Sequence, residues 1–144
     1  MSAPSSRADI PPETRSLRRY TQAIYLLHAM TLALGALSPL FNEPFFVAGL
    51  PSFAGIVMNH ARRREVQDSW LAAHFRWQIR TFWIAFIACG AASLLFGPLV
   101  LLDIGGPLLL LAYVATGAWF AYRILRGFLA LRAGLPPAPG YPSR

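Results

Sequence analysis

The chain has 144 residues, 56% of them hydrophobic and 13% charged, with a mean hydropathy of +0.45. A water-soluble globular domain runs nearer 45–50% apolar and about 25% charged, so these proportions exclude a mostly disordered chain and argue against a protein of the aqueous phase. The charge is one-sided: 13 basic residues, every one an arginine, stand against 6 acidic ones for a net +7.

Residues 1–19 are rich in Ser, Pro and charge and end in Arg15, Arg18 and Arg19. They read as a disordered basic leader. A cleavable signal peptide has its apolar stretch directly after a short basic start. Here Pro11, Pro12 and polar residues delay the first apolar run to Ala23, so no such peptide is expected. Four apolar runs follow: Ala23–Leu40, Pro44–Met58, Thr81–Leu102 and Ile104–Tyr122. A helix rising 1.5 Å per residue needs about 20 residues to cross a hydrocarbon core of about 30 Å. The third and fourth runs meet that length and the first is adequate. The second is short, contains Pro51 and could be re-entrant.

Arginine placement bears on the choice, since basic residues gather on the cytoplasmic side of a membrane. Arg7–Arg19 precede the first run, Arg62–Arg80 separate the second from the third, and Arg123–Arg144 begin at the end of the fourth. The remaining two connectors hold no arginine, only Glu43 and Asp103. Either all four runs cross, or the first two form a paired re-entrant hairpin. The preferred architecture is all-α and polytopic. Spans at about 21–40, 44–60, 81–102 and 104–124 form two hairpins, joined by a cytoplasmic interfacial helix at about 66–80. The membrane domain is 20–134, both termini are cytoplasmic, and 135–144 is an extended, Pro-rich, disordered tail. Ser38-Pro39 and Asn42-Glu43-Pro44 supply turn chemistry for the first hairpin, and Gly105-Gly106-Pro107 for the second, with Pro107 suited to the first turn of a helix.

The most distinctive segment is Ser69–Trp83. On a helix, Leu71, Phe75, Ile79 and Phe82 form one stripe, Arg76 and Arg80 a second, and Trp70, His74, Trp77 and Thr81 a third, with Gln78 at its edge. This division suits a helix in the membrane interface. The apolar stripe faces acyl chains, the arginines reach phosphate, and the indoles sit at headgroup depth. The bland reading is an anchor. The sharper one makes Trp70, His74, Arg76, Trp77, Gln78, Arg80 and Trp83 a site for lipid headgroups or a partner, joined by Arg123 and Arg126 from the end of the fourth run.

Residues Trp70–Trp83, WLAAHFRWQIRTFW, resemble the signature of a family of small bacterial multi-pass membrane proteins of unknown function, distantly related to the chloroplast inner-envelope protein-import membrane subunit. Met58–Arg63, Asp68–Trp70 and Tyr122–Gly127 resemble that family too, so the likeness spans roughly Tyr20 to Gly134. The connector Phe41–Val47 and the ending Arg132-Ala133-Gly134 depart from it. The resemblance implies a bacterial inner-membrane location and this topology, and little mechanism.

Catalytic and cofactor chemistry finds no support. CxxC, HExxH, GxGxxG, GxSxG and Walker patterns are absent. Cys89 is alone and reads as a small hydrophobe. A bis-histidine haem needs two facing histidines at one depth, and the third and fourth runs hold none, so no cofactor or metal is expected. His28 is expected to make a buried hydrogen bond to a neighbouring helix. The runs carry no charge at their middles, which leaves a proton-coupled carrier without a relay. The arginines need no nucleic acid to explain them, because orientation and anionic lipid suffice. Ala85, Cys89 and Ala92 on the third run, and Ala112, Ala115, Thr116, Ala118, Gly117 and Ala121 on the fourth, offer packing surfaces within the chain or between copies. The leading expectation is a non-enzymatic scaffold or accessory subunit that binds lipid or a membrane protein through its cytoplasmic face. The alternative is an oligomeric channel or translocation component, and an enzyme ranks last.

Overall fold

Every described residue belongs to a helix, to a short connection between helices or to the segment 134–138 that follows the last helix. The computed structural model describes residues 12–41 and 45–138. Helix α1 is Pro12–Phe41 and α2 is Phe45–Ala61. A one-turn 3-10 helix at Arg63–Val66 leads to α3, Leu71–Val100, and α4 is Gly105–Ala133. The protein is therefore all-helical, with α1 packed chiefly on α2 and α3 chiefly on α4.

Several boundaries differ from expectation. Helix α1 begins at Pro12, so 12–19 are helical and not leader. Proline fits a first turn, where its missing donor has no partner to lose. Arg18 is held by α4, which gives these turns a tertiary anchor. Helix α1 also runs through Ser38-Pro39. Residues 1–11, the Asn42–Glu43 turn and 139–144 lie outside the described residues. A separate interfacial helix at 66–80 is not found. Leu71 to Val100 is one helix of 30 residues, with neither Pro nor Gly before Gly90 to interrupt it. At 1.5 Å per residue it is about 45 Å long, which exceeds a hydrocarbon core by roughly ten residues.

Pro51 does not break α2. The backbone N–H of Ser52 donates to Thr31 Oγ1 on α1 at 2.9 Å, and Ser52 Oγ shares a hydrogen bond with His28 Nδ1 at 2.8 Å. The Thr31 hydroxyl on the neighbouring helix thus takes up the N–H that the proline disturbs. The interhelical bond expected of His28 is present.

Two turns close the α3–α4 hairpin. Asp103 takes the left-handed conformation (φ 59°), which short polar side chains tolerate. Gly105 is buried, and a Cβ there would overlap the backbone of Phe96, Leu99 and Val100. Pro107 falls in the first turn of α4, as its position implied. At the far end Gly134 (φ 74°) terminates α4. Its N–H bonds Leu131 and that of Leu135 bonds Ala130, the Schellman pattern.

Large apolar side chains are left exposed along all four helices, among them Leu26 and Leu34, Leu50 and Phe53, Phe86 and Ile87, and Leu110 and Leu111. The buried set is mainly apolar but also includes Thr21, His28, Ser52, Asn59, His74, Gln78 and Thr81. Helices α3 and α4 are each long and apolar enough to cross a membrane, and only 6% and 11% of their apolar windows are buried inside the protein. A core helix of a soluble protein would be mostly buried.

Candidate functional site

The two hairpins meet at the arginine-rich end, through Thr21–His28 of α1, Leu71–Phe82 of α3 and Phe120–Leu131 of α4. The α1 contribution is a single stripe, Thr21, Ile24, Tyr25 and His28, at helical spacing and fully buried. Its counterpart on α3 is His74, Gln78 and Thr81 with Phe75 and Phe82 beside them.

His74 is the centre of this junction. Its Nε2 donates to the Leu135 carbonyl at 3.0 Å, which makes Nδ1 the acceptor for the Tyr25 hydroxyl, also at 3.0 Å. Trp70 meets the imidazole edge-on, with ring centres 5.4 Å apart. One turn along, Gln78 Nε2 donates to the Thr21 carbonyl at 3.3 Å. These two side chains therefore pin α3 to α1 and to the chain leaving α4. Tyr25 approaches α4 so closely that a Cβ at Gly127 would overlap its ring and hydroxyl. Only glycine permits that approach.

A second set joins α3 to α4. Arg123 lies over the Trp77 ring at 3.6 Å and donates from Nε to Thr81 Oγ1 at 2.8 Å. Trp77 Nε1 in turn donates to the Arg123 carbonyl at 3.1 Å. The planar guanidinium uses one face for stacking and its edge for hydrogen bonding. A third contact comes from Arg18, whose Nη2 donates to the Leu131 and Arg132 carbonyls at 3.1 and 2.8 Å. A cation placed there satisfies carbonyls left over at the end of α4 and the negative end of its dipole.

The sequence-predicted residues thus divide. His74, Trp77 and Gln78 are buried within the chain, and Arg123 is half-buried against Trp77. Trp70 and Arg76 are half-buried at the surface, while Arg80 and Trp83 are exposed. Arg126 donates to the Tyr122 hydroxyl at 3.0 Å on the outside of α4. The stripe assigned to acyl chains is also corrected. Leu71, Phe75 and Phe82 are buried inside the protein, Phe82 against His28 of α1 and Phe53 of α2. Tyr25, Thr21 and Arg18 were not singled out from the sequence as part of this junction. The signal available for the first two was the polar stripe Thr21, Tyr25 and His28 within an apolar run. The tail is corrected as well. Leu135 is bonded to His74, Pro137 is buried and Ala138 packs on the core.

At the surface of the loop, Arg62 forms an ion pair with Glu65 at 2.7 Å and lies 4.9 Å from the Tyr20 ring centre. Burial raises the Tyr20 phenol above its ordinary value, Arg62 lowers it and Glu65 raises it again. The 3-10 helix, the residues after it and the outer face of α3 enclose an open groove of about 820 Å³. Among the described residues no group of three or more His, Cys, Asp or Glu could hold a metal ion. No family model, curated protein or solved structure matches the chain. Fold and site together define an all-helical protein whose hairpins are pinned by buried polar groups and whose helices expose large apolar side chains.

Proposed function

We propose that this chain is an integral membrane protein of four spans, set in a bacterial inner membrane with its arginine-rich end and both termini in the cytoplasm. It acts without catalysis, as a scaffold or accessory subunit that engages anionic lipid or a membrane protein through that end. On this reading it is a member of the family that Trp70–Trp83 resembles. The observation that carries the proposal is threefold: large apolar side chains exposed on every helix, polar side chains buried within the core, and the arginines of the described residues gathered at one end. Hydrocarbon around the helices accounts for all three. The pinned junction gives the basic end a fixed shape, which a surface for recognition needs and a mere tether does not.

Reporter fusions after Gly134 and within Asn42–Glu43 test the topology and should report opposite sides of the membrane. Equal signals would remove the four-span arrangement. Purification in several mild detergents tests the partner. Elution of the protein alone in all of them would leave lipid as the only ligand of the basic end.

A second reading, an oligomeric channel or translocation unit, draws on the far half of the α3–α4 hairpin. There Gly90, Gly97 and Gly117 have open space where a Cβ would sit. Close approach of a second copy could use it. A strictly monomeric particle with no flux after reconstitution would remove this reading.

A further inference from the structure

The groove beside the 3-10 helix deepens the proposed function and rests on it. Arg63 and Arg76 line the groove, together with Trp70 and one carboxylate, Asp68, while Phe75 and Ile79 form part of an apolar floor. Two guanidinium groups against one carboxylate leave the polar part with a net positive charge. Guanidinium forks suit phosphate oxygens, and an indole at the rim suits the depth of a headgroup. The floor does not stop at the groove. Ile79, Trp83 and Phe86 follow one another at positions i, i+4 and i+7 of α3 and so share a face. Trp83 and Phe86 are 44% and 60% exposed. That face belongs to one of the two helices able to cross a membrane. An occupant anionic at one end and hydrocarbon at the other would therefore match the whole path. A soluble phosphate or an acidic peptide would match only its upper end.

We propose that this groove holds one anionic phospholipid, its phosphate on Arg63 and Arg76 and an acyl chain along Ile79, Trp83 and Phe86. Asp68 opposes the anion and tunes the preference. Arg80, Arg126 and the remaining surface arginines attract anionic lipid only as diffuse charge.

The test uses the full chain, delipidated in mild detergent, with bound lipid counted by native mass spectrometry. Phosphatidylglycerol, phosphatidylcholine and soluble glycerol phosphate are the probes. The expected result is one retained phosphatidylglycerol, displaced by neither of the others. Arg63→Gln and Arg76→Gln should each weaken retention roughly fivefold, the effect of one cation near an anionic surface. Asp68→Asn should strengthen it, and a gain in binding cannot come from a misfolded protein. Arg80→Gln with Arg126→Gln should change it little. Equal loss on changing Arg80 and Arg126 would overturn the site in favour of diffuse attraction. Displacement by glycerol phosphate would overturn the lipid assignment and leave an anion site. No gain from Asp68→Asn would place the lipid elsewhere. Carbonate extraction of membranes separates this proposal from the reading beneath it. A protein that resists extraction yet retains no phosphatidylglycerol defeats the groove alone, and one that is extracted defeats both.

Discussion

Glycine 127 tests the junction, because the same substitution at a neighbouring glycine should act with the opposite sign. A Cβ at Gly127 would lie 2.8 Å from two ring carbons of Tyr25 and closer still to its hydroxyl. Tyr25 is buried and bonded to His74, so the ring cannot simply swing away. Forcing it costs about 1–3 kcal/mol as overpacking. Losing its hydrogen bond to a buried imidazole costs about 1 kcal/mol more. Replacing glycine by alanine inside a helix returns about 1 kcal/mol. Gly127→Ala should therefore destabilise by about 1–3 kcal/mol. Gly117→Ala, where the Cβ meets nothing, should keep only the helix gain and stabilise by up to about 1 kcal/mol. Reversible unfolding by SDS in mixed micelles, followed by tryptophan fluorescence, measures both. Tyr25→Phe removes the atom nearest the new Cβ, so in its background Gly127→Ala should cost less. Equal shifts for the two glycines, or strict additivity with Tyr25→Phe, would refute the close approach of α1 to α4.

Three further outcomes follow from the same geometry. Arg123→Lys should cost about 1–2 kcal/mol despite keeping the charge, since an ammonium cannot both stack on Trp77 and reach Thr81 edge-on; a red shift of indole emission on Arg123→Lys, absent in Arg126→Lys, checks it. Thr31→Ala should cost about 1 kcal/mol in the native chain and less in a Pro51→Ala background, because the Thr31 hydroxyl serves an N–H that the proline disturbs; SDS unfolding of the four proteins in that cycle decides it, and equal costs in both backgrounds count against the assignment. Removing residues 135–144 should destabilise by about 1–3 kcal/mol and speed hydrogen exchange across Leu71–Phe75, since His74 loses its acceptor at Leu135; unchanged exchange would show the tail to be a passenger.

The elements were legible because they depend on local matters. Length and apolar content locate four helical runs, and Pro107 falls in the first turn of α4 as its chemistry implies, although Gly105-Gly106-Pro107, expected to form the turn, already belong to the helix and the turn lies at 101–104. The orientation of α3 was not legible, and the reason is physical. In water the apolar stripe of a helix is its buried stripe. Where the outside is hydrocarbon, Leu71, Phe75 and Phe82 can serve equally well against lipid or against protein, so their pattern leaves the facing undecided. The polar stripe does decide it. A buried imidazole or amide gains from a partner on a neighbouring helix. Read that way, His74 on α3 calls for a side-chain partner, and Tyr25 on α1 is able to answer. In the structure the Tyr25 hydroxyl donates to His74, while Gln78 donates to the backbone carbonyl of Thr21, which any residue there would supply. Arg123 obeys the same rule, because it closes the Trp77–Thr81 contact. Arg123 is thus engaged within the protein, which removes it from the residues offered to a ligand in the proposal above. Where the exposed helix faces are apolar, the buried polar residues specify the packing.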